Sequence, residues 1–258
     1  MKIVVVIPAR LHATRLPRKV ILDLCGWPMV RYAYEAALQA PGIDAVYIAT
    51  DSEEVKNVCA DFTKHILMTS DSHQSGTDRL AEAVETIDCD GVINIQGDEP
   101  LIDPRLIGKL ASMLRESKAE MCSAMHRIRY FDELASPHAV KVVVNSHNHA
   151  LYFSRAAIPH HREAQNPSSD PSNTIPEALC FFKHIGIYGY TKTFLKQFAS
   201  LPPSSLEKAE KLEQLRALEN GYTIKMLETA YEPVGVDTVK DLEKARLLLA
   251  KKQQQKER

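Results

Sequence analysis

The stretch KIVVVIPA, Lys2–Ala9, decides the fold class of this chain together with two later apolar runs, AVYIAT at 45–50 and GVINIQ at 91–96. Predominantly apolar runs of this length are typical of strands that are buried on both faces of a sheet. Segments with the spacing of amphipathic helices separate them, at Pro28–Ala40 and Thr77–Ile87. The alternation predicts a Rossmann-like α/β fold, a mainly parallel sheet with helices on both faces.

The second half of the chain changes character and predicts an antiparallel insertion at residues 121–190. A polar turn, Asn145–His149, separates two strand-like runs there and indicates a hairpin. The other predicted elements are helices at 51–62 and 103–117 and strands at 65–69, 121–128, 139–144, 150–153, 184–190 and 225–232.

The C-terminal part predicts one long helix at Ser205–Glu219 and a last helix that begins at Thr238. Thr238 and Asp241 have the spacing of a capping box. No change in composition marks a boundary, so we expect a single domain at 1–250 and a frayed tail at 251–258.

Composition excludes several classes of protein. The 258 residues carry a net charge of -1, which provides no overall field to hold nucleic acid or an anionic membrane surface. No apolar run reaches the roughly 18 residues of a membrane-spanning helix. The five cysteines lack CxxC spacing, which argues against a disulfide framework and a zinc site. We expect a soluble protein of a reducing compartment, the cytoplasm.

A basic loop follows the first predicted strand, at Pro8–Lys19. It contains no glycine, so neither the GxGxxG nor the P-loop pattern applies. Its cationic side chains can instead bind phosphate oxygens directly. They are Arg10, Arg15, Arg18 and Lys19. The position after the first strand favours a triphosphate site, and a solvated basic loop is the alternative.

Two aspartates are candidate ligands for Mg²⁺, which prefers oxygen donors. Asp98 follows an apolar strand, and Gly97 before it would let the backbone approach a ligand closely. Asp237 lies in the string GVDT before the last helix. An ordinary turn at Asp98 and a helix cap at Asp237 are the alternatives.

Two further segments permit either a ligand pocket or ordinary packing. On a strand at 184–190, the side chains of His184 and Tyr188 share one face, with Gly186 leaving room between them. They could line a pocket for a hydroxyl-rich ligand or belong to the core. Glu213 and Gln214 flank the apolar face of a helix whose spacing alone indicates an unexceptional amphipathic helix.

Together these segments resemble the CMP-Kdo synthetases, the 3-deoxy-manno-octulosonate cytidylyltransferases. The matching strings extend over nearly the whole chain in the order of the family. They are IPAR at 7–10, TRLP at 14–17, ATD at 49–51, HQSGTDRLAE at 73–82, VINIQGDEP at 92–100, AVKVV at 139–143, ALYFSRAAIP at 150–159, HIGIYGY at 184–190, LEQLR at 212–216 and GVDT at 235–238.

The resemblance implies an enzyme that joins CTP to 3-deoxy-D-manno-octulosonate (Kdo) for lipopolysaccharide biosynthesis, releasing pyrophosphate and using Mg²⁺. It also implies a homodimer formed through the antiparallel insertion. The implied catalytic set is Lys19, Asp98 and Asp237, of which the two aspartates hold the metal. The implied nucleotide contacts are Ala9, Arg10, Arg15, Lys19, Ser75, Gly76 and Arg79. The implied contacts to the sugar acid are Gln96, Arg155, His184, Tyr188, Glu213 and Gln214.

Two departures from the family's pattern concern loops. The family commonly has RLPGKPL where this chain has RLPRKVIL, so Arg18 replaces a glycine and Val20 replaces a proline. His160 stands where a tryptophan is common, which leaves 8-amino-Kdo or a nonulosonate open as the acid. A glycosyltransferase and a nucleotide-binding module without activity are the alternatives from other classes. Neither the number of Mg²⁺ ions nor a general base follows from the sequence.

Overall fold

The computed structural model describes residues 1–11, 16–73, 75–117, 119–162 and 173–256, the last five of these without their side chains. The chain divides into two compact units where the sequence predicts one domain. The first unit comprises Met1–Ser117, Ile187–Ala199 and Glu232–Arg258, and the second comprises Lys118–Gly186 and Ser200–Tyr231. The second unit therefore includes most of the predicted insertion and a later segment as well.

The sheet of the first unit is built on β1, whose apolar residues are fully buried. It pairs in parallel with β4 and β6, β4 pairs in parallel with β5, and the end of β10 runs antiparallel to β6. The mainly parallel sheet is thus confirmed. The strands are β1 (Ile3–Pro8), β4 (Ala45–Thr50), β5 (Ile66–Met68), β6 (Gly91–Asn94) and β10 (Phe182–Thr191), with a small hairpin of β2 (Asp23–Leu24) and β3 (Trp27–Pro28) that was not predicted.

Several helices of the first unit begin at side-chain caps that the sequence provides. Ser52 accepts a hydrogen bond from the amide of Val55 at 3.3 Å, and Asp103 accepts one from Arg105 at 2.8 Å. Ser75 and Asp78 form a complete capping box. The helices are α1 (Met29–Leu38), α2 (Glu53–Ala60), α3 (Gly76–Glu85), α4 (Pro104–Glu116), α6 (Lys192–Ser200) and α9 (Val239–Lys256), and a 3₁₀ turn lies at Lys19–Ile21.

Helix α9 packs against the end of the basic loop and against β2, the strand that follows it. Leu242, Ala245 and Leu249 are buried in one apolar cluster with Leu16 and Leu24, as the predicted apolar face requires. The helix continues to Lys256, where the sequence predicts a frayed tail from residue 251. No helix within the described ranges is long and apolar enough to cross a membrane.

The second unit has a mixed sheet. Strand β7 pairs in parallel with β11, while β8 pairs antiparallel with both β9 and the first residues of β10. The turn between β8 and β9 is the predicted hairpin, in which the Asn145 side chain accepts the amides of His147 and His149 at 2.9 Å each. The elements are β7 (Met121–Arg127), α5 (Phe131–Ala135), β8 (Lys141–Val144), β9 (Ala150–Ser154), α7 (Ser205–Glu210), α8 (Gln214–Glu219) and β11 (Ile224–Thr229).

The single helix predicted at Ser205–Glu219 is wrong. The structure has two short helices, α7 and α8, and Lys211 between them adopts a left-handed conformation with φ of 54°. A left-handed residue ends an α-helix. The break gives Glu213 the position before the first residue of α8.

Candidate active site

A cavity of about 220 Å³ opens in the first unit beyond the carboxyl ends of β1 and β6. Open α/β sheets bind ligands at this edge. The lining includes several residues that the sequence singled out for nucleotide or metal. It consists of Pro8, Arg10, Lys19, Val20, Gly76, Gln96, Gly97 and Asp98.

Lys19 joins the two candidate metal ligands. Its ammonium donates to the carboxylate of Asp98 and, at 2.9 Å, to Oδ1 of Asp237. The lysine side chain is only 12% exposed. Burial disfavours the charged ammonium, but the two carboxylates outweigh burial and raise the pKa of Lys19 above its ordinary value. The cluster therefore holds one positive and two negative charges.

The segment that carries Asp237 is fixed at both of its sides. The amide of Val236 donates to the carbonyl of Asp98 at 3.0 Å. Oδ2 of Asp241 accepts the amides of Asp237 at 3.2 Å and Thr238 at 2.9 Å. Because Thr238 and Asp241 cap helix α9, the carboxylate of Asp237 is not used as the cap and turns to Lys19.

The two carboxylates suit a hard divalent cation. Asp98 and Asp237 already converge on a single cationic group, the ammonium of Lys19. The described part of the chain contains no group of three or more His, Cys, Asp or Glu residues that could hold a metal. Mg²⁺ ordinarily uses one or two protein carboxylates and completes its coordination with water and substrate phosphates. The residues present therefore fit Mg²⁺ bound together with a phosphate.

Backbone groups complete the wall of the cavity. A Cβ atom on Gly97 would lie 3.4 Å from the carbonyl oxygen of Pro8, which is an ordinary van der Waals distance, so the ends of β1 and β6 lie close together here without requiring a glycine. Gly76 is the first residue of α3 and lies on the cavity wall. The amides of a first helical turn have no partners within the helix and favour anions.

The other predicted nucleotide residues differ in their exposure to this cavity. Arg10 lines it, and the amide of Ala9 donates to the carbonyl of Ala49 at 2.8 Å. Arg79 is fully buried, and its guanidinium donates to the carboxylate of Asp51 and the hydroxyl of Thr69. Arg79 belongs to α3 and is not among the residues that line the cavity. Arg15 lies outside the described residues.

Arg18 occupies the conformation for which a glycine is favoured. Its φ of 58° and ψ of 21° are left-handed. The guanidinium donates to the carboxylate of Glu54 in α2. The extra positive charge is therefore paired on the protein surface, next to the lysine that enters the cavity.

Two of the residues predicted for the sugar acid lie in the first unit. Gln96 lines the cavity. Tyr188 is half-buried on β10, opposite Asn94 of β6, and its ring stacks on that of Tyr190 with centroids 5.8 Å apart. Oδ1 of Asn94 is buried and accepts no hydrogen bond from any residue that the structure describes. Asn94 was not among the predicted site residues, although an amide within an apolar strand is a signal for a polar site.

His184 lies in the second unit and is more than nine-tenths buried. Its Nε2 is 2.8 Å from the hydroxyl of Ser123, which also lies 3.2 Å from the carbonyl of Ile185 and donates to it. Because that donation uses the hydroxyl proton, Nε2 of His184 is the donor to Ser123. Burial lowers the pKa of His184 to about 3, so the imidazole is neutral.

Arg155 is held by the backbone of the second unit. Nε donates to the carbonyl of Glu210 at 2.7 Å, Nη1 to that of Pro137 at 3.0 Å and Nη2 to that of Lys211 at 3.4 Å. The side chain of Glu210 accepts the amide of Arg155 at 2.9 Å and the hydroxyl of Ser154 at 2.6 Å. A guanidinium has five N–H groups, so three bonds leave two for a ligand.

Glu213 and Gln214 stand at the start of α8 in the same unit. Arg216, itself buried, forms a bidentate pair with Glu207 and lies 3.3 Å from Oε1 of Glu213. Gln214 is 4% exposed, and its Nε2 has no hydrogen-bond partner within the described ranges. Buried amide groups ordinarily have partners, so this donor is suited to a ligand. The substrate contacts of both residues stay predictions.

Comparisons with known proteins identify the family of this chain. The model of a family described as cytidylyltransferase matches residues 4–226. The 3-deoxy-manno-octulosonate cytidylyltransferase of Geobacter sulfurreducens is 45% identical over 95% of this chain and 98% of its own. The enzyme of that name from Haemophilus influenzae is 44% identical over 97% of this chain and 100% of its own.

A solved structure extends the similarity to three dimensions. It is a CMP:2-keto-3-deoxy-manno-octonic acid synthetase complexed with CTP, which is 41% identical and superposes with a TM-score of 0.89 over 98% of this chain and 100% of that chain. The chain therefore belongs to the cytidylyltransferase family, within the group of the 3-deoxy-manno-octulosonate cytidylyltransferases.

Proposed function

We propose that the protein transfers a cytidylyl group from CTP to Kdo, which gives CMP-Kdo and pyrophosphate and activates the sugar acid for lipopolysaccharide biosynthesis. The observation that carries the proposal is the cluster of Lys19, Asp98 and Asp237 at the cavity edge. Family membership supports the same reaction. A cation between two carboxylates, beside a helix N-terminus, suits a triphosphate with a divalent metal.

The triphosphate is assigned to the cavity of the first unit. Arg10 and Lys19 both line it, and Gly76 brings the start of α3 to its wall. Guanidinium, ammonium and backbone amides stabilise the charge that grows on the leaving pyrophosphate. Arg15 is proposed for the same role. Ala9 and Ser75 are proposed to lie near cytosine. Arg79 is proposed to hold the start of α3 in place through its bonds to Asp51 and Thr69.

Mg²⁺ is the proposed cofactor, held by Asp98 and Asp237. When bound, it would neutralise phosphate charge and lower the pKa of the attacking hydroxyl. The chain's own contribution is the pair of carboxylates and their spacing, which the ammonium of Lys19 maintains. Lys19 would then bind the phosphates as well.

The reaction depends on positioning. The anomeric hydroxyl of the sugar acid attacks the α-phosphorus of CTP. The new P–O bond forms as the hydroxyl loses its proton, and the bond to pyrophosphate breaks in line with it. Such a transfer requires little covalent chemistry from the protein. Arg155 is proposed for the substrate carboxylate, which suits a guanidinium. Gln96 and Tyr188 of the first unit, and His184, Glu213 and Gln214 of the second, are proposed for the hydroxyl groups.

Neutral His184 is suited to a hydroxyl and unsuited to acid catalysis. With a pKa of about 3, the imidazole is not protonated near neutral pH and so has no proton to give as an acid. We therefore propose that it recognises the sugar and does not act as a general acid.

A cytoplasmic homodimer is proposed as the working state. Leu151 on β9 is 60% exposed, and β9 belongs to the predicted insertion. A large exposed apolar side chain on a strand is suited to contact a second copy. Light scattering of the purified protein tests this proposal: a mass near the 28.9 kDa of one chain would contradict it.

The deciding experiment measures pyrophosphate release with Mg²⁺, four nucleoside triphosphates and a panel of ulosonic acids. We expect release with CTP and Kdo together and none when either is omitted. Free nucleoside diphosphate from a nucleotide sugar would identify a glycosyltransferase instead. Binding of CTP without turnover would identify a binding module. Because His160 is exposed in place of a tryptophan, the panel includes 8-amino-Kdo and a nonulosonate.

A further inference from the structure

Lys141 is a fully buried lysine that the proposed reaction leaves unused. It lies on β8 in the second unit with no exposed surface. Among the ion pairs of the described residues, none includes this ammonium. A buried charge is costly unless it is fully hydrogen-bonded, so its partners indicate its purpose.

The partners of Lys141 are three backbone carbonyl oxygens. Nζ donates to Ala139 at 2.6 Å, to Ser136 at 2.8 Å and to Arg155 at 2.6 Å. These bonds use all three N–H groups of an ammonium. One cation therefore ties the turn at 136–139 to the main chain of Arg155.

Both connections converge on the guanidinium of Arg155. Ser136 and Ala139 flank Pro137, whose carbonyl accepts Nη1 of Arg155 at 3.0 Å. Lys141 thus fixes an acceptor of the guanidinium and the main chain from which that side chain extends. Glu210 completes the frame from the other side, since its side chain accepts the amide of Arg155 and its carbonyl accepts Nε.

We infer that Lys141 is a positioning residue that presets Arg155 to receive the carboxylate of the sugar acid. The inference rests on the proposed function, because Arg155 is assigned to that carboxylate there. Two N–H groups of Arg155 remain for the substrate once the three backbone bonds are made. The three carbonyl groups that accept the other N–H groups set the direction of these two. A bidentate contact with a carboxylate depends on that direction.

The test is the variant Lys141→Met, which keeps the length of the side chain and removes its three donors. We expect the KM for Kdo to rise by about 10- to 100-fold, since misplacement of a binding group by about 1 Å has effects of this size. The affinity for Mg²⁺ and CTP, measured by calorimetry, should change by less than about 2-fold because those ligands are assigned to the first unit.

The matched control is Lys225→Met in the same unit. Lys225 also donates from Nζ to a backbone carbonyl, that of His147, but it lies partly exposed on β11. We expect both KM values of this variant to remain those of the wild type. Loss of Kdo affinity in Lys225→Met equal to that in Lys141→Met would overturn the inference.

A double-mutant cycle separates positioning from general stability. If Lys141 acts through Arg155, then Lys141→Met should have little further effect on the KM for Kdo in an Arg155→Met background. Multiplicative effects, an unchanged KM for Kdo, or equal weakening of Kdo and CTP would each contradict the inference. If Lys141→Met does not fold, the variant Glu210→Gln perturbs the other side chain that holds the main chain of Arg155, and it is tested with the same readouts. An unchanged KM for Kdo in that variant overturns the inference.

Failure of the proposed function is distinguishable from failure of this inference. The wild-type protein alone tests the former, since it either releases pyrophosphate with CTP and Kdo or does not. The variants test the latter, through the change in the KM for Kdo compared with the change in CTP affinity and through the double-mutant cycle with Arg155→Met.

Discussion

Mild acid should destabilise the folded protein through His184. Burial lowers the pKa of this imidazole from 6.5 to about 3. As the pH falls below 6.5, the unfolded chain gains a proton that the folded protein does not accept. Linkage therefore lowers the free energy of unfolding between pH 6.5 and about pH 3.

The size of the effect follows from the two pKa values. Between about pH 7.5 and about pH 5, this single group should reduce the free energy of unfolding by about 2 kcal/mol. Ser123 and the ring of Phe153, whose centroid lies 5.0 Å from that of the imidazole, provide no negative charge to stabilise the protonated form. The loss is a large part of the stability of an ordinary domain.

Urea denaturation followed by circular dichroism at the two pH values measures this loss. The variant His184→Gln removes the titrating group and keeps a side-chain donor for Ser123, so its stability should change with pH by about 2 kcal/mol less than that of the wild type. The control His138→Gln alters an exposed histidine of the same unit and should retain the wild-type dependence. If wild type and His184→Gln have the same pH dependence within about 0.5 kcal/mol, the assigned burial of His184 is refuted.

Three substitutions test the candidate active site. Asp98→Asn should lower pyrophosphate release by orders of magnitude while the circular dichroism spectrum stays that of the folded protein, because a metal ligand is lost; near-normal release would remove Asp98 from that role. Lys19→Ala should weaken the binding of CTP more than that of Kdo in calorimetry, since its ammonium lies at the wall of the cavity assigned to the triphosphate. Equal loss of affinity for the two ligands would contradict this contact. Ser75→Ala should lower the free energy of unfolding by about 1 kcal/mol in urea titrations, since it removes the cap of α3, and no measurable change would mean that the cap is dispensable.

The fold of the first unit is readable from sequence because its signals are local. The apolar run of β1 and the caps at Ser52 and Ser75 act on neighbouring residues, so the strand and helices appear where predicted. The break at Lys211 is different. Its left-handed φ lies within a run of good helix formers, and no local pattern marks the end of α7.

The candidate site was only partly predictable for a related reason. Asp237 contacts Lys19 across nearly the whole chain, and sequence spacing alone equally permits a helix cap there. Arg79 illustrates the opposite case. Its position in the SGTDR segment matches the nucleotide contacts of the family, but only the structure reveals a buried guanidinium that is bonded to Asp51. Burial and direction of a side chain are tertiary properties that spacing does not encode.

The contact between Lys19 and Asp237 also has a consequence for biogenesis. The two residues are separated by 218 positions, and Val236 and α9 pack on the segment that follows the basic loop. Closing a loop of this length is entropically unfavourable until packing compensates for it. A chain still being synthesised, or one cut before Asp237, therefore lacks the contact between Lys19 and Asp237. Under the roles proposed for these two residues, we expect CTP turnover only from a chain whose first unit is completely folded.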